Sequence, residues 1–377
     1  MEPQDVRKLY PVMQRRAYLF SGGMAPASDR HRAAIERFTK ELAHDPADLY
    51  SRLREEYNRV RGLFAELIGA DEDEVAITDC TGTGSNLAVD LIELRDGGNI
   101  VFDELTYSSS VYPWMLRSRA HLERRFVKRR DGIVELDDLA DAIDDRTIAV
   151  SISHVSERTG FRHDLNAAAR LAHEHGAVLI VDAMQSAGAI HFNVHEADVD
   201  FLSCGAMKWL LGSAGVGFFY AARHHLDRMP LHAAGPGAMP DARAWGDREF
   251  SPKPGAERFQ LGVSNLIGLA ATTPGLGILT DVGMDKVQAH VLDLSGYCIE
   301  KLLERGFHLH TPLEGRHHAG IVSIQMEDSA NAFAFLCRRG VDGFHYPNIL
   351  RVDPHIFNNR EDIDRFLLEL DAYSRQK

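Results

Sequence analysis

No stretch of this 377-residue sequence is apolar for long enough to span a bilayer. Its first residues, "MEPQDVRKLYPVMQRR", lack the apolar core of a signal peptide. Cysteine is scarce. The four residues Cys80, Cys204, Cys298 and Cys337 form no C-x-x-C pair, which argues against a structural zinc or disulfide framework and makes a reducing cytoplasm the expected location. Basic charge is short too, with 42 Lys and Arg against 55 Asp and Glu, a net charge of −13. The one basic block, "ERRFVKRR" (Glu123 to Arg130), reads as a strand edge. Nucleic acid and anionic membranes are therefore not expected partners. Internal repeats and low-complexity tracts are absent as well.

What remains is ordinary globular material, 45% hydrophobic and 26% charged, long enough for about two domains. From about residue 75 to 220, short runs rich in Val, Ile and Phe alternate with helical segments: "EVAIT", "NIVFDE", "RTIAVSISH", "AVLIVDA" and "DFLSCG". Buried parallel strands have this composition. Between two of them, "DLNAAARLAHEHG" offers Asp164 as an N-cap and Gly176 as a stop, so Thr147 to Asp182 reads as a βαβ unit. The pattern changes after residue 265 to long helices around "HAGIVSIQM", ending in the amphipathic tail "NREDIDRFLLELDAYSRQK". The expected architecture is α/β, a mostly parallel sheet flanked by helices, with a smaller C-terminal α+β domain. Its boundaries are 1–45 for an N-terminal segment packing with the small domain, 46–265 for the large domain and 266–377 for the small one. Residues 221–258, rich in Gly, Pro and Arg, read as a long irregular excursion suited to covering a bulky substrate tail.

Ligands of open parallel sheets sit beyond the carboxyl ends of the strands. Those ends carry "DCTGTGS", "LTYSSS", "VSERTG", "DAMQSAG" and "CGAMKWLLG". The last places Lys208 in an apolar run, where a permanent ammonium is costly to bury. A lysine that ends as an imine removes that cost. An acid to hold a ring nitrogen protonated, a glycine turn for a phosphate and an aromatic ring to stack complete what a pyridoxal phosphate site requires. Taken singly, Asp182 reads as a turn former, Arg351 as a surface charge and "TGTGSN" as a short glycine turn. "LAHEHG", His224–His225 and His317–His318 lack zinc-site spacing and read as surface histidines, so no metal site is expected.

Together, "LIVDAMQSAGAIHFNVHEADVDFLSCGAMKWLLGSAGVGFFY", "RAYLFSGGMAPAS", "TYSSSVYPW", "SHVSERTG" and "LRVDPHIFNNREDIDRF" resemble the class V aminotransferase-like pyridoxal phosphate enzymes. This family includes cysteine desulfurases, selenocysteine lyases, isopenicillin N epimerase and kynureninases. The resemblance implies a fold-type I transferase and pyridoxal 5′-phosphate as cofactor. Carried onto this chain, it makes Lys208 the Schiff-base lysine and Asp182 the partner of the pyridinium nitrogen. Gln185 would bond the ring hydroxyl oxygen, and Tyr107 stands where relatives place a stacking histidine. Gly82 and Thr83 would meet the phosphate, with Ser203 and Ser264 as further anchors; His154 fits the family's strand end beside the cofactor and equally a satisfied core histidine. Ser264 sits where a neighbouring subunit reaches the phosphate, which implies a homodimer with shared sites. Arg351 would clamp the substrate carboxylate and Glu157 would tune specificity.

Several family positions differ. Met207 replaces a histidine, Gly205 a small hydroxyl residue, Val263 a threonine and Glu157 an asparagine. The interval "RGVDGFHYPNILR" lacks the nucleophilic cysteine of cysteine desulfurases, and Cys337 in "ANAFAFLCRRG" reads as a buried structural thiol. A persulfide mechanism is not expected. The favoured expectation is β-elimination from a cysteine S-conjugate, with Lys208 as base. The alternatives are an epimerase using Tyr107 as second acid, an aminotransferase, a decarboxylating or oxidative enzyme, and a cofactor-binding regulator.

Overall fold

A computed structural model describes residues 1–226, 231–240 and 250–376. Its strands, in chain order, are β1 (Ala17–Tyr18), β2 (Val75–Thr78), β3 (Asn99–Asp103), β4 (Glu123–Val127), β5 (Thr147–Ser153) and β6 (Val178–Asp182). They continue with β7 (Phe201–Gly205), β8 (Gly217–Ala221), β9 (Val322–Gln325), β10 (Val341–Asp342), β11 (Phe344–Tyr346) and β12 (Ile349–Val352). Seven of them form the central sheet in the order β2-β8-β7-β6-β5-β3-β4. Only β8 runs against the rest. Every residue of β3, β5 and β7 is buried, as expected for strands covered on both faces. Each large apolar side chain so buried contributes about 1.5–3 kcal/mol. By contrast β4, drawn from the basic block, is the partly exposed edge.

The βαβ unit is formed as its punctuation suggests. Asp164 accepts from the Ala167 N–H at 3.0 Å, starting the helix Leu165–Glu174, and Gly176 turns out of it at φ +70°. Crossovers of this kind put the carboxyl ends of β3, β5, β6 and β7 side by side.

A three-stranded antiparallel sheet, β11-β12-β9, lies with the helices Ser329–Arg338 and Arg360–Ser374 in a second core. The N-terminal segment joins it. There β1 pairs with β10, Phe20 bridges Asp353, and Arg7 and Arg16 pair with Asp362 and Asp342 at 2.6 Å each. The helix Leu266–Val282 buries Leu269, Leu276 and Leu279 in the large core. Gly283, at φ +87°, turns the chain from it into the helix Met284–Leu303. Among the described residues no single helix is long and apolar enough to cross a membrane.

Two expectations about surfaces need correction. His173 and His225 are not free surface histidines, because each bonds the buried Asp200, at 2.7 and 2.6 Å. His318 is buried, and Cys337 is only half-buried. Of the excursion 221–258, residues 227–230 and 241–249 lie outside the described residues. Its later part is tied down by Lys253–Glu257 and Glu257–Arg61 ion pairs, against the helix Pro46–Ile68.

Buried neutral histidines make the fold acid-sensitive. The His355 Nδ1 accepts from the Ile356 N–H at 2.6 Å, so its proton sits on Nε2, 2.9 Å from the Trp209 carbonyl. Burial lowers His355 to about 4 and His154 to about 3. The unfolded chain takes up these protons near pH 6.5, so the stabilisation is complete above that pH and is lost as pH falls toward 4 and then 3. Each histidine steepens the loss by up to about 1.4 kcal/mol per pH unit. Urea unfolding at pH 7.5 and 5 is expected to show this slope, and His154→Gln to flatten it. An unchanged slope in that variant contradicts the assignment.

Candidate active site

Asp182 ends β6 with its carboxylate buried. One oxygen accepts from the Met184 N–H at 2.9 Å, and the other from the Ser109 and Ser110 hydroxyls at 3.0 and 3.3 Å. Burial raises its pKa, while these bonds and the charge of Lys208 hold it down. Lys208 follows β7. Desolvation lowers its pKa first, then the positive charge of Arg351, against the opposing pull of Glu157, Asp182 and Asp353. Its Nζ lies 6.0 Å from the centre of the Tyr107 ring. A buried carboxylate with only hydroxyl and amide donors suits a cationic ring N–H.

Tyr107 is 44% exposed, and its backbone N–H is fixed by the Ser153 hydroxyl at 2.9 Å. Burial and the charges of Glu157 and Asp182 raise the phenol pKa, so it stays protonated at neutral pH. Gln185 is already engaged. Its Nε2 donates to the Gly22 carbonyl at 3.0 Å, its Oε1 accepts from Trp209 Nε1 at 2.7 Å, and one amide hydrogen remains for a ligand.

The helix Thr81–Leu91 begins with no side-chain cap, leaving its first N–H groups open, and at Gly82 a Cβ would meet only the Cys80 sulfur, at 3.7 Å. Thr83 turns its hydroxyl to Asp79. The Gly205 N–H and the Thr81 hydroxyl both point to the Met184 sulfur, at 3.2 and 3.3 Å. Open helix-start N–H groups and a glycine cradle fit a phosphate, with Asp182 and Lys208 placed for the ring and aldehyde.

Two expected contacts lie elsewhere. The His154 ring packs edge-on to Phe192 at 5.1 Å and lines a separate cavity with Arg162 and His163, because it alternates with Ser153 along the strand. The Ser203 hydroxyl is buried under the helix Thr81–Leu91, 3.0 Å from Ser85 Oγ. Ser264, expected to reach the phosphate of a neighbouring subunit rather than this one, donates its N–H to Tyr57 on a segment whose Leu261 and Val263 are exposed.

Arg351 lies on β12, almost wholly buried. Its Nη1 donates to the Glu157 carbonyl at 2.7 Å, and its Nη2 is 3.0 Å from Asp353 Oδ2. The Glu157 carboxylate accepts from the Tyr346 hydroxyl at 2.6 Å and lies 3.9 Å from Arg158. A cavity of about 680 Å³ lies against Glu157 and Arg158, lined also by Thr106, Tyr107 and Tyr112.

Sequence reasoning missed Ser109, Ser110, Ser153, Met184 and Asp353. The serines come into place through the order β6-β5-β3, which no local pattern encodes. Asp353 did leave a signal, since it stands two residues after Arg351, on the same side of an extended chain.

The aminotransferase class-V family profile matches residues 17–341. An uncharacterised aminotransferase, YcbU of Bacillus subtilis (strain 168), is 27% identical over 100% of this chain and 99% of its own. A cysteine desulfurase of Haloferax volcanii is 29% identical over 84% of this chain and 78% of its own. The fold is shared with an apo cysteine desulfurase from Thermococcus onnurineus NA1 at a TM-score of 0.88 and 24% identity, covering 100% of this chain and 99% of that one.

Proposed function

The chain belongs to the aminotransferase class-V family, and on that premise we propose that it is a pyridoxal phosphate enzyme cleaving the carbon–sulfur bond of a cysteine S-conjugate. The bound cofactor supplies an electron sink for charge developing at the substrate α-carbon. Lys208, freed by the incoming amine, takes the α-proton on Nζ. Its lowered pKa suits that task, because an amine must be neutral to act as base. Asp182 keeps the ring nitrogen protonated, and Tyr107 covers the site from the solvent side. The β-sulfur leaves with its bonding pair as thiolate, and the 2-aminoacrylate released hydrolyses to pyruvate and ammonia.

One observation carries this reading over a desulfurase one. Between Val341 and Arg351 the chain runs straight through β10, β11 and β12 with no cysteine, and no loop there can carry a sulfur nucleophile to the cleft. Cys337 sits on the helix Ser329–Arg338, its thiol pKa raised by burial and by the charge of Asp342. Cys337→Ser is expected to leave turnover unchanged within about twofold, as for a substitution away from the chemistry; a loss of a hundredfold or more would restore the persulfide route.

The direct test is product analysis with a panel of S-substituted cysteines. Pyruvate together with free thiol supports the lyase, whereas amine transfer that depends on an added keto acid replaces it with an aminotransferase. A cytoplasmic homodimer is part of the proposal, supported by the exposed Leu261, Val263 and Ile267 around Ser264. Light scattering is expected to give twice the chain mass, and a monomer with full activity contradicts shared sites.

A further inference from the structure

Away from the cleft, the end of β5 borders a second cavity, of about 560 Å³. Ser153 and His154 alternate there. The Ser153 hydroxyl holds the Tyr107 N–H in the cleft, and His154 lines this cavity instead. Part of its wall is apolar: Val134, Leu139, Phe161 and Leu165 are buried, and Phe192 is partly so. Cavities of this size, with an apolar wall and a few placed polar groups, are the ordinary form of a small-molecule site.

Two of its polar groups are left open. Arg162 is partly buried, and its Nε and Nη2 both donate to the Arg316 carbonyl, at 3.3 and 3.1 Å. Its Nη1 has no hydrogen bond, and the guanidinium no ion pair, among the described residues. Asp164 is the acid whose charge it feels, but that carboxylate is committed to the Ala167 N–H. His154 is 3% exposed and its Nδ1 has no partner, although a neutral imidazole keeps one N–H to give. Burial, then the positive charges of Arg162 and His163, lower its pKa to about 3, and no carboxylate opposes them. The other cations are matched, His163 by Asp103 and Arg316 by Glu314, each at 2.9 Å. Glu135 and Glu196 line the cavity too, but both are exposed, where water and salt screen them.

Both open groups are donors, and one of them carries an unmatched charge. A cationic ligand meets repulsion there, and a neutral one leaves the charge of Arg162 uncompensated. A carboxylate accepts from Arg162 in a charge-assisted bond and supplies the missing charge, while the apolar wall covers the rest of the ligand. We propose that this cavity is a second binding site of the protein, one that takes a small carboxylate carried on an apolar body, with Arg162 and His154 holding the anion. The site faces away from the cleft of Lys208 and Tyr107, so the inference stands or falls apart from the reaction assigned there.

The test is calorimetric titration of the holoenzyme with phenylacetate, with phenylacetamide as its uncharged counterpart and inorganic phosphate as an anion without an apolar body. Phenylacetate is expected to bind tighter than either by roughly tenfold or more, the scale of one hydrogen bond to a charged group. Arg162→Gln is expected to erase that preference by weakening phenylacetate alone, and the urea midpoint and cofactor absorbance check that the variant is folded. Phenylacetate binding that survives Arg162→Gln unchanged belongs to another site and overturns the proposal. A variant that weakens acid and amide alike reduces Arg162 to a packing role and also overturns it. Equal binding of phenylacetate and phenylacetamide by the wild-type protein, or phosphate binding as tight as phenylacetate, overturns it whether or not the variant folds.

Discussion

Lys208→Ala is expected to remove both the visible absorbance of lysine-bound cofactor and at least roughly a thousandfold of the turnover, the scale of a lost general base. The reasoning starts from burial. A lysine between Met207 and Trp209, desolvated and beside the positive Arg351, is held in its neutral, nucleophilic form more readily than a surface lysine. The same neutrality lets it take a proton. Loss of the methylene stem alone costs packing, so folding is checked by the urea midpoint. A variant that folds, keeps the absorbance and turns over normally contradicts the assignment.

Asp182→Asn is expected to retain cofactor but lose roughly 10²–10³ in turnover, the scale of one lost electrostatic contact at a reacting centre. Asparagine keeps the shape and can still face Ser109, Ser110 and the Met184 N–H. It cannot stabilise a cationic ring nitrogen, and the electron sink weakens with it. Ser109→Ala and Ser110→Ala each remove one donor to a carboxylate that keeps two others, so each is expected to act far more weakly. Equal losses in the Asn and Ala variants would point to a role in positioning alone. Absorbance of the bound cofactor and single-turnover rates separate the two outcomes.

Much of this site was legible because its chemistry sits at strand ends, and strand ends show in the sequence. "AVLIVDA" and "DFLSCG" announce β6 and β7 by composition, and Asp182 and Lys208 follow from where those runs stop. The cap at Asp164 and the stop at Gly176 are local and were readable for the same reason. Side-chain direction was harder. His154 lies at the right strand end yet turns away from the cleft, because successive residues of a strand face opposite sides, whereas Ser203, in register with Asp182, is covered by the helix Thr81–Leu91. Contacts between distant segments were not readable at all. Ser109 and Ser110 reach Asp182 across about 72 residues of sequence, and His173 and His225 meet at Asp200 only after the sheet has closed. Met184 is the plainest case. Its thioether fills the space left by Gly205, so a departure at one position is understood only with its neighbour in view.

The central claim is that Lys208 carries the cofactor, and one chemical step tests it. The holoenzyme is treated with borohydride, which fixes an imine as a stable amine, then digested and examined by mass spectrometry. The predicted result is one added cofactor mass per chain, on the peptide that contains Lys208 in "CGAMKWLLG". Label on a different lysine, or a chain that takes no label while saturated with cofactor, would contradict the account.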